Sequence, residues 1–123
     1  MQRVLGILIS FGLSVVVWAG ETISEGWLAK GTKWETPFYV RVSGKDGPTV
    51  VITGGIHGNE PAGARAAEQI RHWSITRGRL VVIPQANIPG LRDGTRFLPG
   101  EPPSRRDLNR QFPKTKMAAE AHG

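Results

Sequence analysis

An imidazole and a carboxylate lie three positions apart in this sequence, at His57 and Glu60, within a glycine-rich stretch. A neutral histidine ring and a glutamate carboxylate are two of the ligand types that bind zinc, and a catalytic zinc site combines three protein ligands with one water. The same spacing also fits a simpler interpretation, in which Glu60 is a solvated residue at a helix start and His57 lies on the surface. On the spacing alone, the simpler interpretation is favoured.

A second group of polar residues lies further along, in a segment rich in proline. It consists of Arg96 and of the run Asp107-Leu-Asn-Arg-Gln-Phe-Pro113. Arg110 could bind a substrate carboxylate through two parallel hydrogen bonds, Asn109 could add an oriented amide donor, and Arg96 could face an oxygen on which negative charge develops. Composition alone favours a surface loop in which arginines pair with Asp107.

The residues around His57 predict that this ring lies in a loop between a strand and a helix. The segment Thr49–Thr53 is rich in β-favouring residues and runs into two glycines, and Pro61 is typical of the first turn of a helix. In open α/β sheets, ligands bind in the loops that follow the carboxyl ends of strands. The position of His57 therefore suits a ligand site.

Helical periodicity extends the predicted helix from Pro61 to Trp73. Its apolar stripe consists of Ala62, Ala66, Ile70 and Trp73. A short apolar strand over residues 80–84 follows, which is typical of a buried parallel neighbour. Strand, helix and strand together predict a right-handed βαβ unit.

The other segments complete the predicted sheet. Residues 37–43 are predicted to form a strand, and the turn signal at residues 44–47 predicts a hairpin in which the strand at residues 49–53 is the central one. Residues 21–33 are polar and weakly periodic, so we expect an irregular lead-in. Six prolines and three glycines over residues 84–113 exclude regular structure from most of that segment.

The first twenty residues have the features of a cleaved signal peptide. Arg3 supplies positive charge, residues 4–17 are apolar apart from glycine and serine, and Ala19 offers a small residue for cleavage after position 19 or 20. The alternative is a membrane anchor, but the apolar run is shorter than the roughly 20 residues that span a bilayer. We therefore expect residues 1–20 to be removed and residues 21–123 to be exported, to the periplasm or out of the cell.

Composition argues against several other classes of protein. The chain has no cysteine, so it has neither a disulfide framework nor a cysteine for lipid attachment. Its formal charge of +6 would attract an anionic partner, yet no tract interleaves basic with aromatic residues as a nucleic-acid groove requires. We expect no nucleic-acid partner and no stable membrane span after signal cleavage, and we interpret the charge as mostly a solvated surface.

Taken together, the two polar groups resemble the motifs of one family. The run Gly54-Gly-Ile-His-Gly-Asn-Glu60 is similar to the first zinc motif of the succinylglutamate desuccinylase/aspartoacylase family, a branch of the zinc-carboxypeptidase-like hydrolases. Residues 107–113 are similar to the second motif of that family, in the same order and at a matching separation. The two motifs together are specific where either alone is weak, and the resemblance covers about residues 31–113.

The resemblance implies a fold and a reaction. The fold is α/β, an incomplete zinc-carboxypeptidase-like mixed sheet with flanking helices, preceded by the signal peptide. The reaction is zinc-dependent hydrolysis of an amide bond, as a deacylase or a carboxypeptidase-like enzyme performs it. The substrate is a small molecule or a peptide with a free carboxylate.

The resemblance also assigns roles to residues of this sequence. His57 and Glu60 correspond to ligands of Zn²⁺, and Asn109 and Arg110 to binders of the substrate carboxylate. Arg96 becomes the catalytic arginine that faces the oxyanion, although other arginines compete for this role. These competitors are Arg92, Arg105 and Arg106.

The sequence departs from its family pattern after the second motif. In the family, the third zinc ligand, a histidine, and the glutamate general base lie well beyond position 123. His122 and Glu120 follow Arg110 too closely to be expected to replace them. We therefore expect residues 21–123 to be the amino-terminal part of a truncated catalytic domain, inactive on its own.

Two alternatives to an enzyme stay open. A non-catalytic module could bind carboxylates through Asn109 and Arg110 without a working metal site. A small basic protein of the cell envelope could instead bind an acidic polymer, in which case binding would depend strongly on salt.

Overall fold

The computed structural model describes the backbone of residues 14–18 and all atoms of residues 20–112. The elements in chain order are β1 (Ser14–Trp18), β2 (Glu21–Leu28), β3 (Thr36–Val42), β4 (Thr49–Thr53), α1 (Pro61–Ile70), β5 (Arg79–Ile83), α2 (Ile88–Asp93) and a 3₁₀ turn (Leu108–Arg110). Within these residues, no helix is long and apolar enough to cross a membrane. The fold is mixed α/β.

The five described strands form one mixed sheet in the order β1-β2-β3-β5-β4. The pairs β1–β2, β2–β3 and β3–β5 are antiparallel, whereas β4 runs parallel to β5. The parallel pair is joined through α1, so the predicted βαβ unit is confirmed. Since β4 and β5 end at the same edge, the loops that follow them lie close together.

Helix α1 covers one face of the sheet through its smallest side chains. Ala64 and Ala67 are buried, and Ala67 packs against Leu80 and Val82 of β5, with Ile52 of β4 beside them. Alanines on the contact face let the helix lie close to the strands.

The predicted apolar stripe of α1 was wrong in three of its four residues. Ala62 and Ala66 are exposed, and Ile70 alone packs partly against the core. Trp73 is 63% exposed and lies beyond the helix, which ends at Ile70 rather than at residue 73. At the end of α1 the backbone forms a tighter, 3₁₀-type turn, in which Trp73 N–H donates to the carbonyl of Ile70, so the α-helix ends before residue 73.

The predicted hairpin between β3 and β4 was also wrong, because β5 lies between these strands. Ser43 N–H donates to the carbonyl of Gly78, and Arg79 N–H donates to the carbonyl of Pro48, so the connection crosses the start of β5. Strand β4 is therefore at the edge of the described sheet rather than central. Its residues Val50 and Val51 are 48% and 59% exposed.

The segment expected to be an irregular lead-in is mostly a strand. Strand β2 pairs with β3 along its length, from Thr22 beside Val42 to Leu28 beside Thr36. Its glycine, Gly26, lies against the ring of Phe38, and a β-carbon there would be 2.6 Å from the ring. The polar sequence of β2 does not predict a strand, because the apolar contact comes from Phe38 of the neighbouring strand β3.

Strand β1 falls inside the segment expected to be a signal peptide. Residues Ser14–Trp18 pair antiparallel with β2, from Ser14 beside Glu25 to Trp18 beside Glu21. Cleavage of residues 1–20, the assignment of residues 21–123 to a catalytic domain, and export of the chain stay predictions.

Regular structure also occurs where prolines were expected to exclude it. Asn87 begins α2 by accepting a hydrogen bond from Gly90 N–H at 2.9 Å, and Pro89 lies in the first turn, where a proline is tolerated. Gly94 ends the helix with a left-handed backbone, φ 64°. Glu120 and His122 lie outside the described residues.

Candidate functional site

The loop after β4 continues the parallel pairing beyond the strands. Gly54 N–H donates to the carbonyl of Ile83 at 2.8 Å, and Asn87 N–H donates to the carbonyl of Gly55 at 3.0 Å. The side chain of Asn87 is almost fully buried and donates to the carbonyl of Ile56 at 3.3 Å. The backbone immediately before His57 is therefore held by the start of α2.

The next glycine, Gly58, lets this loop rest directly on α2. A β-carbon at this position would lie 2.0 Å from the carbonyl carbon of Gly90 and 2.4 Å from the carbonyl oxygen of Thr95. Such distances leave no space for a side chain. Gly58 N–H also donates to the carbonyl of Arg96 at 3.4 Å, so the turn that carries His57 and the residues after α2 form one packed unit.

The two ring nitrogens of His57 face different carboxylates. Nε2 lies 3.1 Å from Oδ1 of Asp107, and Nδ1 lies 3.5 Å from Oε2 of Glu60. A carboxylate can only accept, so Nε2 donates to Asp107. In the neutral ring, Nδ1 then presents its lone pair towards the carboxylate of Glu60.

Asp107 links the two sequence motifs. Its Oδ1 accepts from His57 and also from the backbone N–H of Asn109 at 3.0 Å, which begins the 3₁₀ turn. The hydrogen bond from His57 is the main cause that lowers the pKa of the Asp107 carboxyl. The hydrogen bond from the Asn109 backbone and the charge of Arg110 lower this pKa further. The turn that carries Asn109 and Arg110 is thereby fastened to the histidine ring.

The carboxylate of Glu60 is shared between two partners. Its Oε1 accepts a hydrogen bond from Nη1 of Arg96, and its Oε2 faces His57. The hydrogen bond from Arg96 is the main cause that lowers the pKa of Glu60 below the usual range of a glutamate. Glu60 is therefore a carboxylate at neutral pH.

These side chains surround an open pocket of about 430 Å³ at the carboxyl end of β4. It is lined by Thr53, Gly54, Gly55, Ile56, His57, Glu60, Ala62, Gly63 and Asn109. Arg110 is not among the lining residues, although it lies near enough to Asp107 to affect its pKa. Arg96 reaches the pocket through its contact with Glu60.

The donor atoms of His57 and Glu60 fit a zinc ion in type and in spacing. Two ligands about 2.1 Å from a tetrahedral ion lie about 3.4 Å apart, close to the 3.5 Å between Nδ1 and Oε2. A lone pair and a carboxylate that face each other at this distance repel unless a proton or a cation lies between them. Within residues 14–18 and 20–112, however, no three histidine or acidic side chains form a group that could hold a metal ion. The described part of the chain therefore offers two side chains, those of His57 and Glu60, that could bind zinc.

Two residues of the site were not singled out from the sequence. Asp107 belongs to the second motif and to a predicted ion-paired loop, but neither pattern gives it a role of its own, whereas in the structure it holds the ring of His57. Asn87 carries a signal by which it could be found, since an asparagine two residues before Pro89 is a recognisable helix start. No local pattern indicates that Asp107, fifty positions further along the chain, lies beside His57.

The sequence matches the succinylglutamate desuccinylase/aspartoacylase catalytic domain over residues 46–122, more than half of the chain. It is 34% identical, over 71 residues, to an N-alpha-acetyl-L-2,4-diaminobutyric acid deacetylase of Halomonas elongata. That alignment covers 55% of this chain and 20% of the deacetylase. The chain thus spans about a fifth of the length of this curated relative.

The fold is similar to solved structures of the same kind. An aspartoacylase family protein of Mesorhizobium loti has a TM-score of 0.60 at 27% identity, with 85% of this chain and 35% of that chain covered. A succinylglutamate desuccinylase/aspartoacylase of Rhodobacter sphaeroides has a TM-score of 0.56 at 30% identity, with 76% and 30% covered. The mixed α/β fold described above is therefore similar to about a third of each of these proteins.

Proposed function

Since the chain belongs to the succinylglutamate desuccinylase/aspartoacylase family, we propose that it carries part of the site of a zinc-dependent hydrolase of amide bonds. The observation that carries the proposal is the ring of His57, which donates through Nε2 to Asp107 and turns Nδ1 towards Glu60. A histidine whose second nitrogen is held by a carboxylate is the usual arrangement of a zinc ligand.

His57 and Glu60 would hold the zinc ion from one side of the pocket. Zinc has two effects in such hydrolases: it lowers the pKa of a bound water to about 7, and it polarises the substrate carbonyl. Asp107 keeps the proton on Nε2 of His57, which leaves Nδ1 free as a ligand atom. The carboxylate of Glu60, with its lowered pKa, is ionised and able to bind a cation at neutral pH.

The residues of the second motif would bind the substrate. Asn109 lines the pocket and could donate its amide to a substrate carboxylate. Arg110 follows it in the same 3₁₀ turn, and its guanidinium suits a paired contact with a carboxylate. Arg96 would use N–H groups not engaged with Glu60 to stabilise the oxyanion, since a guanidinium has five such donors.

The substrate class follows from these groups and from the relatives. A pocket with an amide and a neighbouring guanidinium suits a molecule that has both an amide bond and a free carboxylate. The Halomonas elongata relative is named as a deacetylase of an N-acetylated amino acid, which supports the acyl-amino acid class. If residues 1–20 direct export, the substrate would instead be a peptide or amide of the periplasm or cell wall.

Zinc content tests the proposal directly. Purified protein in equilibrium dialysis against Zn²⁺ should bind one ion per chain, as measured by elemental analysis. His57→Ala and Glu60→Ala should each remove it, since two ligands leave little affinity to spare. His72→Ala is the matched control, because the ring of His72 is 62% exposed and is not part of the lining of the pocket around His57. Equal zinc content in His57→Ala and the wild type would contradict the proposal.

A further inference from the structure

We propose that Arg96 is a positioning residue for the metal site, which holds one oxygen of Glu60 so that the other faces His57. The inference rests on the zinc site proposed above and gives Arg96 a task in the resting protein, in addition to a role with substrate. It also explains how an exposed glutamate is kept in one orientation.

The division of the two Glu60 oxygens is the first observation. Oε1 accepts a hydrogen bond from Nη1 of Arg96, and Oε2 lies 3.5 Å from Nδ1 of His57. The glutamate side chain is 59% exposed, and although Glu60 is the N-cap residue of α1, its side chain makes no capping hydrogen bond that would restrain it. Without Arg96, rotation about its side-chain bonds would turn Oε2 away from His57 for much of the time.

The placement of Arg96 itself is the second observation. Its backbone follows the end of α2, where Thr95 N–H donates to the carbonyl of Gly90 at 2.9 Å. The carbonyl of Arg96 accepts from Gly58 N–H, and Gly58 is pressed against Gly90 and Thr95 with no space for a side chain. The guanidinium therefore extends from backbone that is packed on the same turn as His57 and Glu60.

Charge alone predicts the opposite effect of Arg96 on zinc. A guanidinium beside a ligand carboxylate repels a divalent cation and competes with it for the negative charge. If this repulsion dominated, removal of Arg96 would tighten zinc binding. A positioning role predicts weaker binding after removal, so the sign of the change separates the two effects.

Calorimetric titration with Zn²⁺ alone measures that sign. Arg96→Ala should weaken zinc binding by about tenfold, at the lower end of the range for outer partners of metal ligands. Arg96→Lys should recover part of the affinity, because an ammonium can still donate to Oε1. The matched control is Arg92→Ala, whose arginine pairs with Asp93 and should leave the affinity within about twofold. Unchanged thermal unfolding of Arg96→Ala would show that the fold is intact.

The outcomes distinguish this inference from the function on which it rests. Unchanged or tighter zinc binding by Arg96→Ala overturns the inference. Absence of zinc binding by the wild type overturns the proposed function instead. In that case, NMR of the guanidinium ¹⁵N signals of Arg96 tests the inference. Glu60→Gln should shift these signals and speed the exchange of the guanidinium N–H protons with water. Signals identical in wild type and Glu60→Gln would overturn the positioning role as well.

Discussion

The Nε2 atom of His57 lies 3.1 Å from Oδ1 of Asp107, although fifty positions separate the two residues in the chain. This hydrogen bond joins the loop after β4 to the 3₁₀ turn that carries Asn109 and Arg110. It also fixes which ring nitrogen bears the proton, and so which one can bind a metal ion. The two sequence motifs are therefore in direct contact through Asp107.

Substitution of Asp107 tests this link. Asp107→Ala should weaken zinc binding by about 10- to 100-fold, because His57 loses the partner that orients its ring and holds the proton on Nε2. Calorimetric titration with Zn²⁺ measures the change, and Asp93→Ala is the matched control, since Asp93 pairs with Arg92 instead. Equal affinities of Asp107→Ala and the wild type would show that the ring needs no partner.

The pKa of Asp107 should lie below the usual range of an aspartate, because the hydrogen bond from His57 favours its ionised form. A depressed pKa in the folded state contributes stability that is present above the unfolded pKa, about 4. That contribution disappears as the pH falls through the folded value. NMR titration of the Asp107 carboxyl carbon should show a low pKa that rises in His57→Ala. A pKa that is the same in both proteins would contradict the contact.

The close packing of Gly58 makes a steric prediction. Gly58→Ala should destabilise the fold by about 1–3 kcal/mol, because the new methyl group would overlap the backbone of Gly90 and Thr95. Gly63→Ala is the matched control, since a β-carbon in that helical position meets only the backbone nitrogen of Gly55, at 3.8 Å. It should stabilise the protein slightly, as alanine favours helices over glycine. Urea unfolding measures the stability of both variants and of the wild type. Equal stabilities of Gly58→Ala and the wild type would contradict the close packing of Gly58.

The buried side chain of Asn87 makes a further prediction about stability. Asn87→Ala removes the cap of α2 and the hydrogen bond to the carbonyl of Ile56, and should cost about 1–3 kcal/mol. Amide hydrogen exchange should accelerate at Gly90, whose N–H bonds to Asn87 in the wild type. Unchanged exchange at that amide would show that the cap contributes little.

The sequence was informative where function depends on residues near each other in the chain. The β-favouring run before Gly54, the proline at the start of α1 and the apolar run of β5 correctly predicted the βαβ unit. The position of His57 after a strand followed from the same pattern. Those elements are specified by local composition and periodicity, which a single sequence displays.

The sequence was misleading where pairing between distant segments decides the structure. β2 is polar and contains Gly26, so it becomes a strand only because β3 lies beside it. The turn signal before β4 suggested a hairpin, but β5 occupies the place next to β3. The contact of Asp107 with His57 likewise depends on how the segment after α2 returns to the pocket. No local pattern records such a return.

The central claim is that His57 and Glu60 bind the same zinc ion. X-ray absorption at the zinc edge, on protein loaded with one equivalent of Zn²⁺, tests it most directly. The claim predicts a first shell of nitrogen and oxygen at about 2.0–2.1 Å with the outer scattering of an imidazole ring, absent in His57→Ala. A spectrum without imidazole scattering, or one that is unchanged in His57→Ala, would contradict it.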